Sequence, residues 1–325
     1  MRSRLALLLT AVVALAPAAP TAASTVDPPR VLVIAAHPDD ETLFNLSRFS
    51  ERGWPMAVAL VTNGEGGAVV QSIRPDYDPV RDPDALVEKP PGPDAWLTTP
   101  PDGPRLRTIG SPTALARERR REFLKSLAVH RVQQVYLLSQ PQSPAFEDSW
   151  DNGVRRWDKH ALRRDLAWIA RRFGPDLILT LNPGETWAHP QHVGLGNLVR
   201  KWRDAGALGD QPPIYGLREH AWYVESMTAQ PGDLTFDRGR RSPVLGTTYD
   251  AFWRRATSPY LSQSSHPVWL DARAAVGILP GYRGIDILRR VTPAGHLRHQ
   301  LRAWPPNRAA YESLARKPVV TRKMP

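Results

Sequence analysis

The chain has 325 residues, 42% of them hydrophobic and 11 of them tryptophan, which is enough for a buried core and excludes a disordered chain. It contains no cysteine, which removes disulfides, thiolate metal sites and cysteine nucleophiles together, so any metal must be held by His, Asp or Glu. The formal charge is +11, but the arginines are spread among acids with no compact basic block, which argues against nucleic acid and for a solvated basic surface, at most loosely associated with an anionic cell envelope.

The first 23 residues place Arg2 and Arg4 before an apolar stretch from Leu5 to Ala16 and a small-residue run ending at Ala23, the layout of a secretory signal peptide. The apolar core is short for a membrane anchor, so the expectation is a secreted protein, or one held at the cell envelope, with residues 24–325 as a single mature domain and no later membrane span.

Val31 to Ala36 reads as a strand buried on both faces, Asp39 to Arg52 as a helix ending at Gly53, and Met56 to Val61 as a second buried strand. Residues 71–113 are rich in proline and aspartate with little periodicity and read as a long irregular insertion. Residues 114–128 carry a helical pattern, Gln134 to Leu138 a third strand, and Leu162, Leu166, Ile169, Ala170 and Phe173 a helical stripe closed by Gly174-Pro175. Leu177 to Leu181 is the fourth strand; beyond residue 205 the signal weakens, although "HAWYVES" at 220–226 looks like another. This alternation predicts an α/β fold with a Rossmann-like, mainly parallel sheet covered by helices on both faces.

Two segments carry the chemistry. "AAHPDDETLFN" at 35–45 puts His37, Asp39, Asp40 and Glu41 at the carboxyl end of the first strand, where such sheets bind ligands. Capping of the next helix explains one or two of these acids but does not call for the histidine, whereas His and Asp across such a turn suit Zn²⁺. "LNPGETWAHPQHVGLGN" follows the fourth strand and again puts a His-Pro step at a helix start, with His192 three residues after His189 and on the same face as Leu195, Val199 and Trp202. A lone inward histidine is usually a core residue; two strand ends of this kind point to one shared cation.

"AHPDDE", then "VTNGEGG" and "HPQH", with "RRRE" at 119–122 and "YLSQ" at 260–263, resemble the PIG-L, or LmbE-like, family of zinc-dependent de-N-acetylases, which includes deacetylases of N-acetylglucosaminyl-inositol compounds. The resemblance runs from about Val31 to Gln263 and implies an LmbE-like fold. It implies zinc ligation by His37, Asp40 and His192, a general base at Asp39 and a protonated, polarising His189. It also suggests that Glu65 and Gly66 of the glycine turn, with Trp187 and Gln191, line the substrate cleft. Glu41 orients a ligand or caps the helix, and Arg119 with Glu122 is equally a surface helix pair. Gln191 stands where the family usually has Asp, and Trp187 where some members have Tyr; a glutamine holds no counter-charge, so the pKa of His189 should sit lower.

The implied activity is hydrolysis of an N-acyl group, acetyl in the first instance, from an amino sugar or an N-acetylglucosamine-containing glycoconjugate. The alternatives are a zinc amidase acting on a larger amide conjugate and a non-catalytic carbohydrate-binding protein that keeps the fold.

Overall fold

A computed structural model describes residues 27–66, 71–73, 106–142, 153–181, 183, 189–217, 231–262, 285–292 and 297–324. The expected signal peptide, most of the insertion, Trp187, Gln263 and "HAWYVES" lie outside these residues.

Strand β1 (Val31–Ala35) runs with all five residues buried, as a continuous apolar run predicts. Its neighbours are β2 (Met56–Thr62) on one side and β6 (Leu177–Leu181) on the other, both parallel to it. The described residues also include β3 (Gln71–Ile73), β4 (Leu106–Thr108), β5 (Gln134–Gln140), β7 (Ile214–Leu217), β8 (Leu234–Asp237), β9 (Ile285–Arg290) and β10 (Val320–Lys323). Among the described residues the main sheet has eight strands in the order β10-β5-β2-β1-β6-β7-β9-β8. Pairing is parallel from β10 through β7, and β9 runs antiparallel to both β7 and β8. β3 and β4 form a separate antiparallel pair that brackets the insertion.

The chain steps from β1 to β2 and β5 in one direction, then returns to place β6 on the other side of β1. That reversal makes a topological switch point between β1 and β6, with a crevice at their carboxyl ends.

The helices among the described residues are α1 (Ser47–Ser50), α2 (Pro112–Val129), α3 (Lys159–Phe173), α4 (Pro190–Asp204), α5 (Tyr249–Thr257), α6 (Leu297–Ala303) and α7 (Arg308–Ala315). Their starts follow local chemistry: the side chains of Ser111, Asp158 and Thr248 accept backbone N–H groups at the N-termini of α2, α3 and α5. Gly174 closes α3 in the left-handed region at φ 61°. In α4, His192, Leu195, Val199 and Trp202 are all buried, as their spacing predicts. Gly196 lets α4 lie against β6, for a Cβ there would meet the Leu181 carbonyl oxygen at 2.4 Å. Among the described residues, no helix is long and apolar enough to cross a membrane.

The expected helix from Asp39 to Arg52 is broken. A 3-10 turn spans Asp40–Phe44, Asn45 takes the left-handed region at φ 47°, and only the four residues of α1 are α-helical. The Thr42 carbonyl, which a continuous helix would give to the Leu46 N–H, instead accepts the indole N–H of Trp253 at 2.9 Å. A tertiary contact from α5 thus outcompetes local helix propensity.

Candidate metal centre and active site

His37 lies two residues beyond β1 and His192 in the first turn of α4, so the pairing of β1 with β6 brings them together. His37 Nδ1 is 2.9 Å from His192 Nε2. Asp40 places Oδ1 3.1 Å from His192 Nε2 and Oδ2 3.7 Å from His37 Nδ1. Its Oδ2 also accepts the His37 backbone N–H at 2.7 Å, which fixes the carboxylate against the turn. His189 completes the group: one nitrogen from each of His37, His189 and His192 lies within 4.8 Å of the others.

These residues fit a divalent ion. Ligand atoms around a tetrahedral zinc ion sit about 3.3 Å apart, given bonds of about 2.0–2.1 Å to nitrogen, and the distances among His37, His192 and Asp40 bracket that value. The donor set is imidazole and carboxylate, and the residues are buried. Burial works to raise the Asp40 carboxyl, but His192 and His37 outweigh it and hold the group well below its usual range, ready as an anion.

Gln191 sets the form of His37. The ring Nε2–H donates to Gln191 Oε1 at 2.7 Å, while the amide nitrogen donates to the Gly153 carbonyl at 3.0 Å. With Nε2 protonated, the Nδ1 lone pair of His37 faces His192 and Asp40. Gln191 is completely buried, with its amide spanning His37 and the Gly153 carbonyl.

His189 caps α4: its Nδ1 accepts the Gln191 backbone N–H at 3.1 Å, leaving Nε2 to carry the proton of the neutral ring. Burial holds its pKa well below the usual histidine value; His37 and His192 add to that effect and Asp40 opposes it. The direction of this shift favours a neutral imidazole over the expected imidazolium, and its main cause is burial.

Asp39 adopts φ 110° and ψ −21°, a region that disfavours side chains. Its N–H donates to Glu41 Oε2 at 3.1 Å, and its carbonyl accepts the Thr42 hydroxyl at 2.7 Å. Glu41 is fully buried; its Oε1 accepts the hydroxyls of Ser126, at 2.7 Å, and Tyr260. Burial pushes the Glu41 carboxyl up to about 8, against the hydrogen bonds from Tyr260 and Ser126.

Arg119 and Glu122 are not a surface pair, for both are buried in α2. Arg119 Nη1 donates to the Gly64 carbonyl at 3.0 Å. Burial lowers the guanidinium's pKa, while the charges of Asp39, Glu122, Asp40 and Glu65 work to raise it, which places this cation beside the acids of the first segment. Glu122 accepts the Ser262 N–H at 2.9 Å and its hydroxyl at 2.5 Å, tying α2 to the "YLSQ" segment. The glycine turn approaches protein here: Gly64, at φ 80°, would drive a Cβ to 2.4 Å from Arg119 Cδ. Glu65 Oε1 accepts the Gln142 N–H at 3.0 Å and the Gly66 N–H donates to Gln142 Oε1 at 3.3 Å, so both residues pin the turn to the end of β5.

The structure thus gathers His37, Asp39, Asp40, His189, Gln191 and His192 at one strand-end crevice. Arg119 and Tyr260 join them from the short "RRRE" and "YLSQ" strings, and Ser126 from a position that carries no motif.

Residues 32–203 match the PIG-L family, described as GlcNAc-PI de-N-acetylase. Similar curated proteins include 1D-myo-inositol 2-acetamido-2-deoxy-alpha-D-glucopyranoside deacetylase 1 of Saccharopolyspora erythraea, 27% identical over 169 residues covering 51% of this chain and 50% of that protein. The corresponding deacetylase of Kineococcus radiotolerans is 26% identical over 180 residues, covering 51% of this chain and 42% of that protein. The chain spans about half the length of the curated relatives it matches. Among solved structures, GalB, the 4-carboxy-2-hydroxymuconate hydratase of Pseudomonas putida KT2440, aligns over 82% of this chain and 98% of that one at 15% identity, with a TM-score of 0.47.

Proposed function

The chain belongs to the PIG-L family, and from that premise we propose that it is a zinc-dependent hydrolase that removes an N-acyl group, acetyl in the first instance, from an amino sugar or an N-acetylglucosamine-containing glycoconjugate. The observation that carries this reading is the convergence of His37, Asp40 and His192, with Asp39 held beside them at φ 110°. His37 Nδ1, His192 Nε2 and the Asp40 carboxylate would hold the ion, which when bound supplies Lewis-acid polarisation of the amide carbonyl and acidifies a water molecule.

The protein's own groups do the rest. Asp39 accepts the proton of the attacking water and returns one to the leaving amine, so that the amine departs neutral. Neutral His189, with Nδ1 committed to the Gln191 N–H, offers Nε2–H to the oxygen on which negative charge develops, and its burial strengthens that hydrogen bond. Arg119 supports the acids electrostatically and stays anchored to the Gly64 carbonyl. A non-catalytic binding protein has no need of Asp39 in a costly backbone conformation.

Purified, zinc-loaded protein incubated with N-acetylglucosaminyl-inositol and with N-acetylated glycan fragments should release free amine. Binding of these compounds with no amine released would overturn the catalytic reading. The leader-like composition of residues 1–23 supports export, which N-terminal sequencing of protein recovered from culture medium would test.

A further inference from the structure

We propose that Glu41 is a positioning residue whose buried side chain holds the Asp39 backbone in its left-handed conformation, and that Ser126 and Tyr260 hold Glu41 in turn. The proposal rests on the functional reading above for the role of Asp39, but on geometry alone for the hold itself.

Three observations carry it. Asp39 occupies a region that costs a side chain of its kind free energy, and it persists only if its surroundings over-determine it. Both polar groups of the Asp39 main chain are taken: the N–H by Glu41 Oε2 at 3.1 Å, the carbonyl by the Thr42 hydroxyl at 2.7 Å and the Thr42 N–H at 3.0 Å. Glu41 is buried with 0% exposure, and among the described residues no cation pairs with it. A buried carboxyl without a counter-charge is costly unless its lone pairs are used, and every partner here is a hydrogen-bond donor.

The hold is long-range. Ser126 comes from α2 and Tyr260 from the segment following α5, 85 and 219 residues from Glu41. Trp253 of α5 steadies the Thr42 carbonyl, three residues further on. The left-handed residue lets two successive acids serve different tasks, with Asp40 turned onto His37 and His192 and Asp39, on the functional reading above, assigned to proton transfer. If the Asp39 backbone relaxed to negative φ, the two carboxylates would lose that division.

The test uses the full-length zinc-loaded protein with Glu41→Leu and Glu41→Gln, read by hydrogen exchange of the 37–45 peptide, by zinc affinity in chelator competition, and by kcat and KM for amine release. Glu41→Leu should speed exchange of the 37–45 peptide while leaving β2 and β5 protected. It should lower kcat about a hundredfold with KM and zinc affinity changed less than about threefold, because His37, Asp40 and His192 keep their own restraints. Glu41→Gln, which retains an acceptor for the Asp39 N–H, should restore slow exchange and most of kcat. If Glu41→Leu proves too unstable, Tyr260→Phe removes one donor to Glu41 while keeping the ring packed, and should give an intermediate effect in the same direction. Unchanged exchange of the 37–45 peptide in the folded Glu41→Leu or Tyr260→Phe protein would overturn the proposal. A wild type that releases no amine would instead sink the functional reading, leaving the exchange result to judge the hold.

Discussion

His37 and Gln191 are joined by a 2.7 Å hydrogen bond whose direction is dictated from the far side of the amide, because the amide nitrogen is already committed to the Gly153 carbonyl. The oxygen must therefore face the imidazole, and the imidazole must present its other nitrogen to the centre. An aspartate at this place has no N–H to give the Gly153 carbonyl.

Gln191→Leu should leave His37 Nε2–H and the Gly153 carbonyl without partners and free the ring to turn. Zinc affinity should fall by about 10–100-fold, in keeping with the usual effect of removing a group that orients a ligand. Competition with a chromophoric chelator measures it directly, and an affinity equal to wild type would show that the amide does not orient the ring.

Asp39 and Asp40 should separate cleanly by metal content and rate. Asp40→Ala removes a ligand and should give protein purified without stoichiometric zinc. Asp39→Asn should keep the metal yet lose about 10²–10⁴-fold in amine release, the usual contribution of a general base. Elemental analysis beside the amine assay distinguishes them; loss of metal from Asp39→Asn would move that residue into the ligand set.

Acid stability should depend on His130, which closes α2 with both ring nitrogens buried and without a hydrogen-bond partner among the described residues. Burial pushes its pKa down to about 3 from 6.5, and the Arg255 charge adds to the shift. The unfolded chain therefore takes up a proton near pH 6.5 that the folded protein refuses. The stability conferred by the neutral ring is fully present above that pH and is lost as pH falls toward 3, at up to about 1.4 kcal/mol per pH unit. His130→Leu should narrow the difference in Tm between pH 8 and pH 5; an unaltered difference would mean that other groups dominate the acid limb.

Gly196→Ala should destabilise by about 1–3 kcal/mol, since the added methyl collides with the Leu181 carbonyl at a point where backbone must move. Displacing α4 also displaces His192, so zinc affinity should fall with Tm. Gly110, where a Cβ meets nothing within 4 Å, provides the control, and Gly110→Ala should leave both unchanged.

The middle of the sheet was legible because β1, β2 and β6 are buried along their whole lengths, so each appears as an uninterrupted apolar run. The later strands offer no such signal: β8 alternates buried and exposed over four residues, and β10 is exposed throughout. The break at Asn45 was invisible because its cause, Trp253, lies 211 residues from Thr42. At the candidate site, two His-Pro steps after apolar runs were enough to bring His37 and His192 to one crevice. The burial of Gln191 is not legible in the sequence because its environment depends on Gly153, 38 residues earlier, and the burial of Arg119 depends on a turn 55 residues before it. Short-range pattern shows where a strand ends; it does not show which distant carbonyl waits there.

The separation of 155 positions from His37 to His192 also sets an order on biogenesis. A nascent chain that has emerged only through β5 already carries the acidic turn but lacks the strand that brings its other half. His192 joins that turn only once β6 has slotted in beside β1 and α4 has followed it, so a product truncated upstream keeps His37 and Asp40 but has no His192 to set against them.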